Sequence, residues 1–95
     1  MYGTVARLRV KPGCEAALIA RLGEVEGRIP GAKQVQVFRL DADHNAYFMV
    51  VAFESKEAYV ANAESAAQRD RYEQLLAVLD DEPEWHDGEI IYVGA

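Results

Sequence analysis

Nine consecutive residues, AYFMVVAFE at 46–54, constrain this chain more than any other stretch. In an extended strand successive side chains point to opposite faces. Tyr47, Met49, Val51 and Phe53 therefore share one face, and Phe48, Val50 and Ala52 share the other. A strand wet on one side carries polar residues at every second place, and none appears here before Glu54. The stretch predicts a strand covered on both faces, so the fold has to supply two covers.

The flanking sequence supplies one. Residues 2–10 alternate, with Tyr2, Thr4, Ala6, Leu8 and Val10 on one side and Val5, Arg7 and Arg9 on the other, which predicts a strand stopped by Lys11-Pro12-Gly13. Leu18, Leu22, Val25 and Ile29 recur at helical steps and predict a helix over 13–28, ended at Pro30. Residues 33–40 read as a second strand, and DADHN at 41–45 as a turn. After the third strand, Ser55 is placed to cap a short helix, and Ser65 with Gln68 forms the pattern of a capping box for another. Tyr72, Leu75, Leu76 and Leu79 then make an inner stripe, and a last strand is expected over 85–93.

The order is β-α-β-β-α-β, the split arrangement of a ferredoxin-like α+β fold: a four-stranded antiparallel sheet with helices on one face. A chain of 95 residues has room for one domain, 1–95, burying roughly 65% of its unfolded surface. Nothing in it remains to cover the second sheet face. The expected cover is another copy of the chain, giving a homodimer packed sheet on sheet, a dimeric α+β barrel.

Charge and cysteine content narrow the function classes. A net charge of −6, with the bases scattered, argues against nucleic acid as a partner. Asp80, Asp81, Glu82, Glu84, Asp87 and Glu89 crowd a stretch without Lys or Arg, read as a solvated acidic edge; no metal is expected, because the spacing matches no known ligand set. The lone Cys14 fits a reduced cytoplasmic protein with a partly buried thiol, and no segment is apolar enough for a signal or a membrane span.

FESKEAYVANAES, followed by RYEQLLAVLDDEPEWHDGEI, resembles the antibiotic biosynthesis monooxygenase family of the dimeric α+β barrel superfamily, and the resemblance runs from VARLRVKPG to EWHDGEI. It implies a cavity in each subunit between helices and sheet. It also implies oxidation of an aromatic phenol, anthrone or quinol without a cofactor, because such a substrate, once deprotonated, can itself pass an electron to oxygen. The protein then supplies a dry aromatic pocket, a proton acceptor and a hydrogen bond to the developing oxyanion. Haem-degrading relatives carry an asparagine, a tryptophan and a histidine where this chain has Ala6, Asn62 and Tyr72, so the resemblance does not extend to haem chemistry.

On that resemblance the expected catalytic residues are Asn62, Tyr72 and His86, with Tyr59 and Trp85 binding substrate. The residues alone leave plainer readings open. Asn62 suits a helix end, and Tyr59 and Tyr72 suit packing. Trp85 and His86, adjacent in a strand, point to opposite faces and cannot both line one pocket. His86 has a pKa suited to a general base, but a histidine tied to a nearby acid or carbonyl is commoner, and Gly88 could mark a bulge. His44, Arg7, Arg9 and Arg39 read as surface groups. A non-catalytic homodimer that binds a small aromatic molecule or stabilises a partner fits the same residues, as does an isomerase or decarboxylase of the same superfamily.

Overall fold

A computed structural model describes all residues, 1–95. Four strands, β1 (Tyr2–Arg9), β2 (Ala32–Arg39), β3 (Ala46–Phe53) and β4 (Glu84–Glu89), form one antiparallel sheet in the order β2-β3-β1-β4. Helices α1 (Glu15–Val25), α2 (Lys56–Ala63) and α3 (Ala66–Leu76) complete the βαββαβ ferredoxin-like arrangement. The two strands with the most apolar faces, β1 and β3, pair at the centre, with Ala6 opposite Met49 and Leu8 opposite Tyr47.

The alternation in β1 holds: Thr4, Ala6, Leu8 and Val10 are buried on the helix side. With Leu18 of α1, Tyr47, Met49, Val78 and Leu79, most of these form the core. Two polar contacts pin the first turn of α1 to the sheet. The Tyr47 hydroxyl and Arg39 Nη1 each donate to Glu15 Oε1, both at 2.7 Å. They hold the Glu15 carboxyl below the usual range, the tyrosine bond more than the arginine. Gly3 is required by proximity, because a Cβ there would run into the Val51 carbonyl oxygen.

Four local expectations are corrected. α1 is shorter than 13–28, running Glu15–Val25, and the chain then turns through Gly27 at φ +74°. α3 stops at Leu76, so Leu79 reaches the core from beyond the helix and bridges to Val10. β4 ends at Glu89 rather than at 93, because Glu89 pairs with Tyr2, the first residue of β1, and only the Ile90 N–H to Met1 carbonyl bond follows. Gly88 makes no bulge: the β1–β4 register is unbroken, and the irregularity lies at Ala32 to Gln34 in β2.

The helix-free face of the sheet carries Val5, Phe38, Phe48 and Val50, and nothing in the chain covers it. Val5 is 42% and Phe38 51% exposed. The two-faced apolar character of β3 is thus real, but within one chain Phe48 and Val50 on its helix-free face stay partly exposed. No helix is long and apolar enough to cross a membrane.

Candidate functional site

The core fills only part of the space between helices and sheet. Neither α2 nor α3 contributes a buried residue. Beneath them lies a cleft of about 920 Å³, floored by Thr4, Val35, Val37, Met49 and Val51 of the sheet and roofed by all three helices. Helical and strand periods decide which side chains meet it. Tyr59 and Asn62 are three apart on α2, and Gln68, Arg71, Tyr72 and Leu75 follow the i, i+3, i+4, i+7 face of α3. Trp85 and Asp87 are two apart on β4.

Four of the five expected site residues therefore share one space: Tyr59, Asn62, Tyr72 and Trp85. His86 does not. Trp85 pairs with Ala6 and His86 with Val5, so the alternation that turns Trp85 inward turns His86 to the helix-free face. There its Nε2 lies 2.9 Å from Glu84 Oε1, exposed. The expectation of His86 as a general base in the cavity is corrected by this register.

One wall of the cleft is aromatic. Tyr72 and Trp85 face each other with ring centroids 6.4 Å apart and planes inclined by 44°. Tyr59 packs against Tyr2 at 5.2 Å and edge-on against Phe53 at 5.4 Å. Its hydroxyl donates to Asp87 Oδ1 at 2.7 Å. Burial, and then this bond to a carboxylate, push the Tyr59 hydroxyl up to about 12. Tyr59 thus stays protonated at neutral pH and holds Asp87 in place. The Tyr72 hydroxyl has no hydrogen-bond partner within the chain, and the buried Thr4 Oγ1 on the floor has none either.

Beside it, on the same two helices, a polar network joins α2 to α3. Ser65 sets its geometry: its hydroxyl donates to the Asn62 carbonyl at 2.7 Å and accepts from the Gln68 N–H at 3.1 Å, capping α3. The reciprocal half of the expected capping box is missing. Gln68 instead turns its Oε1 into the cleft, where it accepts from Asn62 Nδ2 at 3.2 Å and from Arg71 Nε at 3.0 Å. Arg71 Nη2 donates to Asn62 Oδ1 at 2.8 Å. Asn62 is therefore more than a helix end, since its amide helps to orient a guanidinium.

Asp87, Gln68, Arg71 and Arg21 were not among the expected site residues. Asp87 carried a signal, because it shares a strand face with Trp85. So did Arg71, three residues after Gln68 on the face of Tyr72 and Leu75. Arg21 carried none: it sits on the outer side of α1 by sequence pattern and meets the cleft only because α3 lies beside it, where Arg21 Nη1 donates to Gln74 Oε1 at 3.2 Å. No three His, Cys, Asp or Glu side chains gather where they could hold a metal ion.

A family model described as antibiotic biosynthesis monooxygenase matches residues 1–74. The chain belongs to the antibiotic biosynthesis monooxygenase family. The match covers β1 to most of α3, including Tyr59, Asn62 and Tyr72 but not β4. No curated protein matches in sequence. Among solved structures the chain is similar to a protein of Chloroflexus aurantiacus assigned to the antibiotic biosynthesis monooxygenases, with 23% identity, TM-score 0.78, and 99% of this chain and 96% of that one covered. A second, from Bordetella bronchiseptica and of the same assignment, has 20% identity and TM-score 0.79 over 96% and 97% of the two chains. A third is an asparagine-to-alanine variant of SnoaB, a cofactor-independent oxygenase from Streptomyces nogalater, with 16% identity and TM-score 0.80 over 97% and 94%. At these identities the likeness establishes the antibiotic biosynthesis monooxygenase fold, β4 included.

Proposed function

We propose that this single-domain chain is a cofactor-independent monooxygenase acting on an aromatic phenol, anthrone or quinol. The observation that carries the reading is the convergence of an aromatic wall and polar groups on one cleft, in a chain of this family. The relative SnoaB, of the same fold, is a cofactor-independent oxygenase. For an anthrone the chemistry balances without a further reductant. Deprotonation at the ring methylene gives an anion, which passes one electron to O₂; the radical and superoxide join to form a carbon–oxygen bond. Loss of water then leaves a carbonyl, so one oxygen atom enters the product and the other leaves as water.

The side chains fit these needs as follows. Tyr72 and Trp85 stack against the flat substrate. Asp87, fixed by Tyr59, takes the proton. The free Tyr72 hydroxyl and the Asn62 Nδ2 N–H left after its bond to Gln68 donate to the substrate oxygen as negative charge grows on it. Metal-free protein incubated with anthrones and quinols under oxygen is expected to consume one O₂ per product formed, and Tyr72→Phe and Trp85→Phe to slow it. No uptake above the blank across the panel overturns the reading.

One observation favours binding without turnover: the hydroxyl of Tyr59 and both ends of the Asn62 amide are already engaged within the chain. Stabilisation by the same aromatics with no product would decide for that alternative.

We also propose that the helix-free face, with Val5, Phe38 and Val50, is covered by a second copy of the chain, making a homodimeric α+β barrel in the cytoplasm. Light scattering is expected to give twice the chain mass, and Val50→Lys to halve it.

A further inference from the structure

Arginines in this chain have many carboxylates to choose from, since Asp and Glu outnumber Lys and Arg by 16 to 10. Arg9 and Arg39 take them, pairing with Asp43 at 3.1 Å and Glu15 at 2.7 Å. Of the five arginines without a carboxylate within ion-pair distance, Arg7, Arg28 and Arg69 make no side-chain hydrogen bond, whereas Arg21 and Arg71, which line the cleft together with Arg69, do. Their partners are neutral amides: Gln74 for Arg21, and Gln68 with Asn62 for Arg71. Arg21 Nε is in addition buried without any acceptor. An amide oxygen fixes the direction of a guanidinium without cancelling its charge. Two positive charges are thus oriented without a paired carboxylate in a cleft whose charged lining also includes Lys33, Arg69, Glu26 and Asp87. Arg71 and Gln74, the residue that holds Arg21, stand three residues apart on α3.

Arg71 spends two of its five N–H donors, one on Nε and one on Nη2. The pair of N–H groups along the Nη1 and Nη2 edge remains, which is the edge that grips a carboxylate with two parallel bonds. We propose that the cleft selects an aromatic acid, with the ring system against Tyr72 and Trp85 and a carboxylate on Arg71, Arg21 adding to the field. Gln68 and Asn62 are then positioning residues for Arg71. This rests on the cleft being the substrate site proposed above, but not on the oxygen chemistry.

The test compares 9-anthracenecarboxylate with 9-anthracenecarboxamide, and 2-naphthoate with 2-naphthamide. Trp85 is the only tryptophan and lines the cleft, so quenching of its fluorescence reports binding, with calorimetry as a second readout. The acids are expected to bind about tenfold to a hundredfold more tightly than the amides, as charge-assisted hydrogen bonds do. Arg71→Gln is expected to abolish the preference, so that acid and amide bind alike, Arg71→Lys to keep part of it, and Gln68→Leu to weaken acid binding more than amide binding. Equal binding of acid and amide to the wild-type chain overturns the proposal whether or not the variants fold, as does failure of every acid to bind. Oxygen uptake on neutral anthrones is scored separately: acid preference without uptake leaves this proposal standing and removes the oxygenase reading, and uptake without acid preference does the reverse.

Discussion

Removing the Tyr59 hydroxyl should change how stability depends on pH, and by an amount the structure sets. Tyr59 lies between the ring of Tyr2, the edge of Phe53 and the carboxylate of Asp87. Ionising it would place a phenolate in a poorly hydrated position beside another anion, and its pKa is pushed up to about 12 from 10.0, by burial first and by Asp87 second. A folded-state pKa above the unfolded value means that the native state holds its proton longer. The associated stability is therefore complete below pH 10 and is lost as pH rises from 10 to about 12. Two pKa units correspond to about 2.7 kcal/mol as an upper bound. The hydroxyl is not sealed from water, and screening lowers this to about 1 kcal/mol. The stability difference between the wild type and Tyr59→Phe, which keeps the ring contacts, should be constant in urea unfolding up to about pH 9 and should move against the wild type by about 1 kcal/mol as the pH rises toward 12. The tyrosinate absorbance of the wild type minus that of Tyr59→Phe should titrate as one group near 12. In Asp87→Asn it should move down without reaching 10, because burial remains. A stability gap that is constant across the window, or a difference titration centred at 10, would refute the reasoning.

Four further outcomes can be measured by chemical unfolding and circular dichroism. Ser65→Ala removes the cap of α3 and the tie to the Asn62 carbonyl, and should cost about 1 kcal/mol; Ser55→Ala, which removes the bond from the Ala58 N–H, should cost a similar ~1 kcal/mol. Leu18→Ala empties a site with no exposure in the centre of the core and should cost roughly 2–5 kcal/mol, a large share of what a chain of this size has. Gly3→Ala should prevent normal folding, because the new methyl meets a backbone oxygen of the central strand that cannot move without breaking the β1–β3 ladder.

Much of this fold could be read from alternation. The inward face of β1, the two apolar faces of β3 and the caps at Ser55 and Ser65 follow from local chemistry. That Trp85 and His86 part company also follows. Which of them faces the helices does not, because it depends on β4 meeting β1 with Trp85 beside Ala6; a shift of one residue would have exchanged them. Element ends were read less well, since each is set by a distant partner. β4 stops where β1 has no more backbone to offer, and α3 stops where Val78 and Leu79 are drawn into the core. The polar side of the cleft was the least legible part. A pattern of residue types shows that Gln68 can cap, but not that Arg71 and Asn62 compete for it. Nor does it show that Arg21 crosses from one helix to another.

Core and cleft divide the space under the helices between them. Ala6, Leu8, Val10 and Tyr47 belong to one end of the central strand pair and pack into the core, and Met49 beside them also reaches the cleft floor. Thr4, Val51 and Phe53 belong to the other end, where the cleft begins. Only 14 of 95 residues are buried in the single chain, and the cleft takes space under the helices that core would otherwise fill. A ligand that fills the cleft then acts as the missing core. At a hundred times its Kd it adds about 2.7 kcal/mol. For a domain of this size that raises Tm by roughly 10 °C or more. The rise should track occupancy of the aromatic wall: Trp85→Ala should lose most of it, while His86→Ala, altered on the other face of the same strand, should keep it. If both variants respond alike, the cleft is not where the ligand sits.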